Sequence, residues 1–87
     1  MLITENAKNF LYETITSLKL YNGKYFILHT KDPIIDENFV QSTTFMGYPI
    51  DTNDRVPDGC ILLVGLTNNF EICCIQIIDV DKLENSS

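Results

Sequence analysis

The side chains in this sequence able to do chemistry are few and scattered. They are a single histidine, His29, three cysteines at 60, 73 and 74, and the oxygen-bearing residues Asp51, Asn53, Asp54 and Asp58. Nucleophilic catalysis needs a Ser or Cys beside a base that a third group orients. His29 with Cys60 or Cys74 and a nearby acid meets that inventory, as almost any domain does, and no local spacing ties the groups together. Zinc accepts the same residue types, but a closely spaced cysteine pair on a turn is missing. Adjacent Cys73 and Cys74 point to opposite faces of an extended strand, a poor arrangement for chelating one ion. All three thiols read as small buried hydrophobes.

Closely spaced oxygens at Asp51, Asn53, Asp54 and Asp58 invite a calcium reading. An EF-hand loop needs an oxygen ligand at its fifth position and Gly at its sixth, and Arg55 and Val56 stand there. The segment reads instead as a solvated acidic loop. The four glycines, at 23, 47, 59 and 65, form no phosphate cradle. The expectation is no catalytic residue, no metal site and no cofactor. A small metal carrier or enzyme using His29 and a cysteine is the last of the alternatives.

Charge narrows the partners. Twelve acidic against six basic residues give a net charge of −6, which opposes direct binding to nucleic-acid phosphates and suits a basic protein surface. No apolar run approaches the length of a membrane span, and the first residues lack the basic and apolar regions of a signal peptide. An odd number of cysteines speaks against a disulfide framework. These features lead us to expect a cytoplasmic protein that binds neither nucleic acid nor membrane. At 87 residues the chain is one small domain with little core to spare.

The elements that must position these residues are organised around Cys60 to Val80, the longest apolar stretch. It reads as two strands joined at Thr67-Asn68-Asn69, because β-branched residues dominate and Asn tolerates turn dihedrals. Cys60, Leu62, Val64 and Leu66 share one face of the first strand, with Ile61 and Leu63 on the other. In the second, Ile72, Cys74, Gln76 and Ile78 lie opposite Cys73, Ile75 and Ile77. Neither strand alternates with polar residues, so both are expected to be central and covered on each side.

Upstream, Thr4 is a helix N-cap followed by an acid in the first turn. Ala7, Phe10, Leu11, Ile15 and Leu18 recur at helical spacing, predicting a helix from Glu5 to about Leu20. Asn22-Gly23 either caps it or closes a hairpin, and the stripe favours the cap. Lys24 to Thr30 reads as a strand, Phe39 to Met46 as a weaker edge strand, and Gly47 to Gly59 as a long structured loop. If the acids between residues 32 and 58 gather at one end of the sheet, that end is electronegative.

The fold expected is α+β: an N-terminal amphipathic helix packed on a mainly antiparallel sheet of about four strands with a C-terminal hairpin. Residues 1–83 form the domain and 84–87 a frayed polar tail. One helix cannot cover both faces of such a sheet. The second cover would come from the middle segment, from curling of the sheet, from a second copy or from another protein.

The function expected is therefore a small acidic protein-binding module without chemistry of its own. One form would be an inhibitor of a larger nucleic-acid-handling complex, such as an antagonist encoded by a mobile element. The alternative is an accessory or structural subunit of a homo-oligomer, most simply a homodimer. Candidate interface residues are Asp51, Asp54 and Asp58, the aromatic Tyr48, and Ile75 and Ile77 of the hairpin. Tyr12, Tyr21, Tyr25, Phe39 and Phe45 are further candidate anchors, since aromatic side chains are enriched at interfaces.

Overall fold

The computed structural model describes residues 1–21 and 23–85. Helix α1 runs over Glu5–Tyr21. Thr4 starts it. Its carbonyl accepts from the Lys8 N–H at 3.0 Å, and its Oγ1 accepts from the Ala7 N–H at 3.3 Å, as an N-cap hydroxyl does. Glu5 in the first turn and Lys19 in the last complement the helix dipole. Gly23 N–H closes the far end on the Leu18 carbonyl at 3.2 Å. This is the wide bond of a C-terminal cap, so the helix reading of this junction holds over the hairpin. Asn22 itself lies outside the described residues.

Ala7, Leu11 and Ile15 form the buried stripe, with Leu18 packed at its edge, whereas Phe10 sits at the margin and stays partly exposed. Strand β1, Tyr25–Thr30, alternates so that Phe26, Leu28 and Thr30 face the helix and Tyr25, Ile27 and His29 face away. Thr30 is buried with its hydroxyl satisfied, because Oγ1 donates to the Asp32 carbonyl at 2.7 Å.

The remaining strands among the described residues are β2 (Ile34–Ile35), β3 (Gln41–Ser42), β4 (Thr44–Phe45), β5 (Tyr48–Thr52), β6 (Cys60–Leu66) and β7 (Ile72–Asp79). A last helix, α2, spans Val80–Asn85. It is capped by Asp79, whose Oδ1 accepts from the Lys82 N–H at 3.1 Å. Glu84 and Asn85 of the expected tail thus belong to α2, while Ser86 and Ser87 lie outside the described residues. The main sheet has the order β4-β5-β1-β6-β7, and β2 pairs with β3 in a small second sheet. The architecture is α+β, as expected, with one N-terminal helix packed on a mixed five-stranded sheet.

Three expectations are corrected. The segment read as a long loop contains β5, which runs parallel to β1 with Leu28 opposite Ile50 and Thr30 opposite Thr52. Pro49 and the acids around it hid this strand, but Pro49 precedes the residues paired with β1, so its missing N–H falls outside that ladder. The strand expected over Phe39 to Met46 is two short pieces, β3 and β4, separated at Thr43 and bounded by Phe39 and Met46, which take left-handed backbone angles. Finally, β6 is interior but β7 is an edge. Its apolar character therefore signals an uncovered surface rather than a central position.

One core cluster holds the domain together. Leu11 and Ile15 of α1 meet Phe26 and Leu28 of β1, Ile61 and Leu63 of β6, Ile78 of β7 and Val80 of α2. Each large side chain buried here contributes about 1.5–3 kcal/mol. Both helices place their apolar residues on this face, and toward β7 the opposite face is left bare.

Candidate functional site

Strand β7 pairs with β6 from Cys60–Asp79 to Gly65–Cys74, after which the register shifts so that Leu66 faces Ile72. The extra residue is Cys73, a β-bulge. It has a consequence that simple alternation misses. Residues paired across strands share a face, so the bulge carries Ile72 onto the side of Leu66, where Ile75 and Ile77 already lie. The three isoleucines are 64%, 60% and 56% exposed, in a row on an edge strand with no neighbour beyond it among the described residues.

The turn into β7 adds to this surface. Thr67 N–H donates to the Glu71 carbonyl at 2.9 Å, and Phe70 N–H donates to the Thr67 carbonyl at 2.9 Å. Thr67 Oγ1 accepts from the N–H groups of Asn69 and Glu71. The residue in the left-handed region is Phe70, at φ 62°, rather than either Asn. It is 73% exposed and touches Tyr25 edge-on at 6.2 Å. The turn Asp36 to Val40 repeats the whole pattern. Asp36 Oδ1 takes the place of the threonine hydroxyl, accepting from Asn38 and Val40, and Phe39 stands at φ 61°. The shared sequence is a capping side chain followed by x-Asn-Phe.

A left-handed backbone costs a residue with a side chain roughly 1–2 kcal/mol, a site where Gly or Asn is the usual choice. Phe39 and Phe70 hold it while remaining mostly in solvent, Phe70 with only the edge of Tyr25 against it, and strain of this kind concentrates at working sites. Phe39→Gly should leave stability unchanged or raise it by up to about 1 kcal/mol, and Phe70→Gly, which also loses Tyr25, should be neutral within about 0.5 kcal/mol. Urea titration checks both; a loss above about 1 kcal/mol from Phe39→Gly would show that the ring supports the fold.

The sequence-predicted residues are dispersed. Tyr48 packs against the core with its ring 5.3 Å from that of Phe26 and 5.9 Å from that of Tyr25. Asp51, Asp54 and Asp58 do come to one end of the sheet, where β1 and β5 finish and β6 begins, joined by Asp79 and Asp81 from the end of β7. Lys31, Arg55 and Lys82 share that end, and Lys31 Nζ lies 3.2 Å from Asp58 Oδ1. Asn53 Oδ1 is engaged by the Arg55 N–H at 2.9 Å and Val56 is buried, which makes the loop a side-chain-capped turn.

His29 lies on the bare face, with Nδ1 buried. That nitrogen is 3.8 Å from Asp51 Oδ2, too far for a hydrogen bond. Burial, and then the charges of Asp79, Asp81 and Asp58, push the Cys60 thiol up; burial and the thiol of Cys73 do the same to Cys74. Both shifts disfavour the thiolate, the form that attacks and that binds metal. No group of three His, Cys, Asp or Glu among the described residues is placed to hold an ion, and no described helix is long and apolar enough to cross a membrane. Compared with known protein families, with curated proteins and with solved structures, the chain matches none.

Proposed function

We propose that this chain is a small protein-binding module that acts by contact and carries no chemistry of its own, with the edge and bare face of β7 and the adjoining Phe70 as its working surface. The observation that carries this reading is the row of exposed isoleucines on an edge strand whose outer side has no partner among the described residues. Natural sheets protect their edges with Lys, Pro or short strands, because an open ladder recruits other chains. Here the edge spans eight residues and has neither Lys nor Pro. Contiguous apolar surface of this kind marks an interaction site. The acidic end with Asp51, Asp54 and Asp58 supports a further role in meeting a basic surface, as an inhibitor of a larger complex would.

The test is competed affinity capture with tagged wild-type chain, Ile75→Asp and Ile77→Asp, each checked for fold by circular dichroism. Both positions are exposed, so both variants should fold, and each should lose a bound protein by at least about tenfold. Charge reversal at Asp51, Asp54 and Asp58 should weaken binding less and flatten its salt dependence. Equal recovery by wild type and both β7 variants would refute β7 as the working surface.

A further inference from the structure

We propose that the strand completing the sheet beyond β7 is β7 of a second copy, paired antiparallel about a two-fold axis through Gln76. This rests on the reading of β7 as the working surface and names its occupant. The phase of the ladder comes first. Val80 N–H donates to the Gly59 carbonyl at 2.9 Å, so Val80, Ile78, Gln76 and Cys74 direct their backbone groups at β6. By alternation, the N–H and C=O groups of Ile75, Ile77 and Asp79 point outward, toward the open edge.

Residues opposite one another in an antiparallel pair share a face, so a two-fold axis must pass through a residue rather than between two. An axis through Ile77 sets Ile75 opposite Asp79 of the second copy, an isoleucine against a carboxylate, and an axis through Ile75 leaves Ile77 opposite Cys73, the bulged residue. An axis through Gln76 sets Ile75 opposite Ile77 of the second copy, and the reverse, while Asp79 meets Cys73. Four isoleucines then meet across the joint on the bare face, and the two Gln76 amides face each other on the side of the helices. Residues 73–79 are all used, a seam of about 20 Å.

Charge fits the same occupant. Residues 72–78 carry no charge, so a strand rich in Lys or Arg would leave its charges unanswered along the seam, whereas a second β7 matches it.

The test is light scattering of the full chain across a dilution series, at low and at moderate salt. The expected result is twice the chain mass, falling to one for Ile75→Asp with an unchanged circular dichroism spectrum. Each copy carries −6, so screening should favour the pair. Raising salt from about 0.01 M to about 0.15 M shortens the screening length from about 30 Å to about 8 Å and should tighten the dimer. A basic partner would show the opposite sign. With Cys73 and Cys74 replaced by Ala, Gln76→Cys should cross-link on mild oxidation, since facing residues there lie about 4.5 Å apart, within disulfide reach.

A cross-link through Ile75→Cys and none through Gln76→Cys would overturn the register and the proposal with it. A chain monomeric at every concentration overturns the second copy. If its capture of another protein is then lost in Ile75→Asp, the binding reading stands alone; if capture is unaffected, both fall.

Discussion

Phe26→Ala should remove about 3–5 kcal/mol of stability, the largest loss expected from any single truncation in the chain. A domain this small holds only about 5 kcal/mol or little more, so the variant should be mostly unfolded at about 37 °C, or compact without fixed packing. The reason is the position of the ring. It is fully buried, touches Tyr48 edge-on, and closes against two glycines: a Cβ on Gly23 would stand 2.5 Å from its Cζ, and one on Gly65 would stand 3.0 Å from its Cε1. Backbone that close on two sides, at the helix end and in β6, cannot collapse into the cavity. Phe26→Leu, which keeps most of the volume, should cost less than about 1.5 kcal/mol. Urea titration with near-ultraviolet circular dichroism separates the two, and a cooperative Phe26→Ala transition near wild type would show that the site can collapse after all.

Gly65→Ala should cost about 1–3 kcal/mol by overpacking. The new methyl group would overlap Cys74 Sγ as well as press on Phe26. It lies where the β6–β7 register shifts, so the strand cannot slide to make room without disturbing the bulge. Cys74→Ala removes the sulfur and should recover part of the loss, giving a coupling energy of roughly 0.5–2 kcal/mol in a double-mutant cycle. Strict additivity would place the obstacle at the Phe26 ring alone.

What could be read in the sequence divides along physical lines. Helix α1 was legible because its cap, its acidic first turn and its apolar spacing agree at Thr4, Glu5 and Ala7 to Leu18. Strands β1 and β6 and the hairpin to β7 were legible from composition and alternation, which are local properties. Strand β5 was not, because Tyr48–Thr52 has weak strand character and is held by pairing with β1, a contact distant in sequence. The edge position of β7 was hidden for a different reason. Apolar residues on both faces say that a strand needs covering, but not whether its own chain supplies the cover.

The candidate site was legible in part. Ile75 and Ile77 stand out by parity; Ile72 falls on the wrong face in that reading because a bulge resets parity and leaves no mark in the sequence beyond Gly65. Phe70 escapes it although a signal exists. Thr67-Asn-Asn-Phe and Asp36-Glu-Asn-Phe share a capping oxygen and an Asn just before the aromatic, and comparing the two turns pairs them.

The placement of β1 also bears on how the chain emerges during synthesis. Its two neighbours, β5 and β6, both lie C-terminal to it, separated from it by the β2–β4 segment and more. Helix α1 and β1 therefore leave the ribosome with a packed face between them but with both strand edges open, and neither edge can close until residues 48–66 are available. Such long-range closure is slow, and a half-made chain would present the ladder of β1 to its surroundings. The sheet can assemble around its centre only once residues 48–66 are available, so the first half of this domain waits on the second.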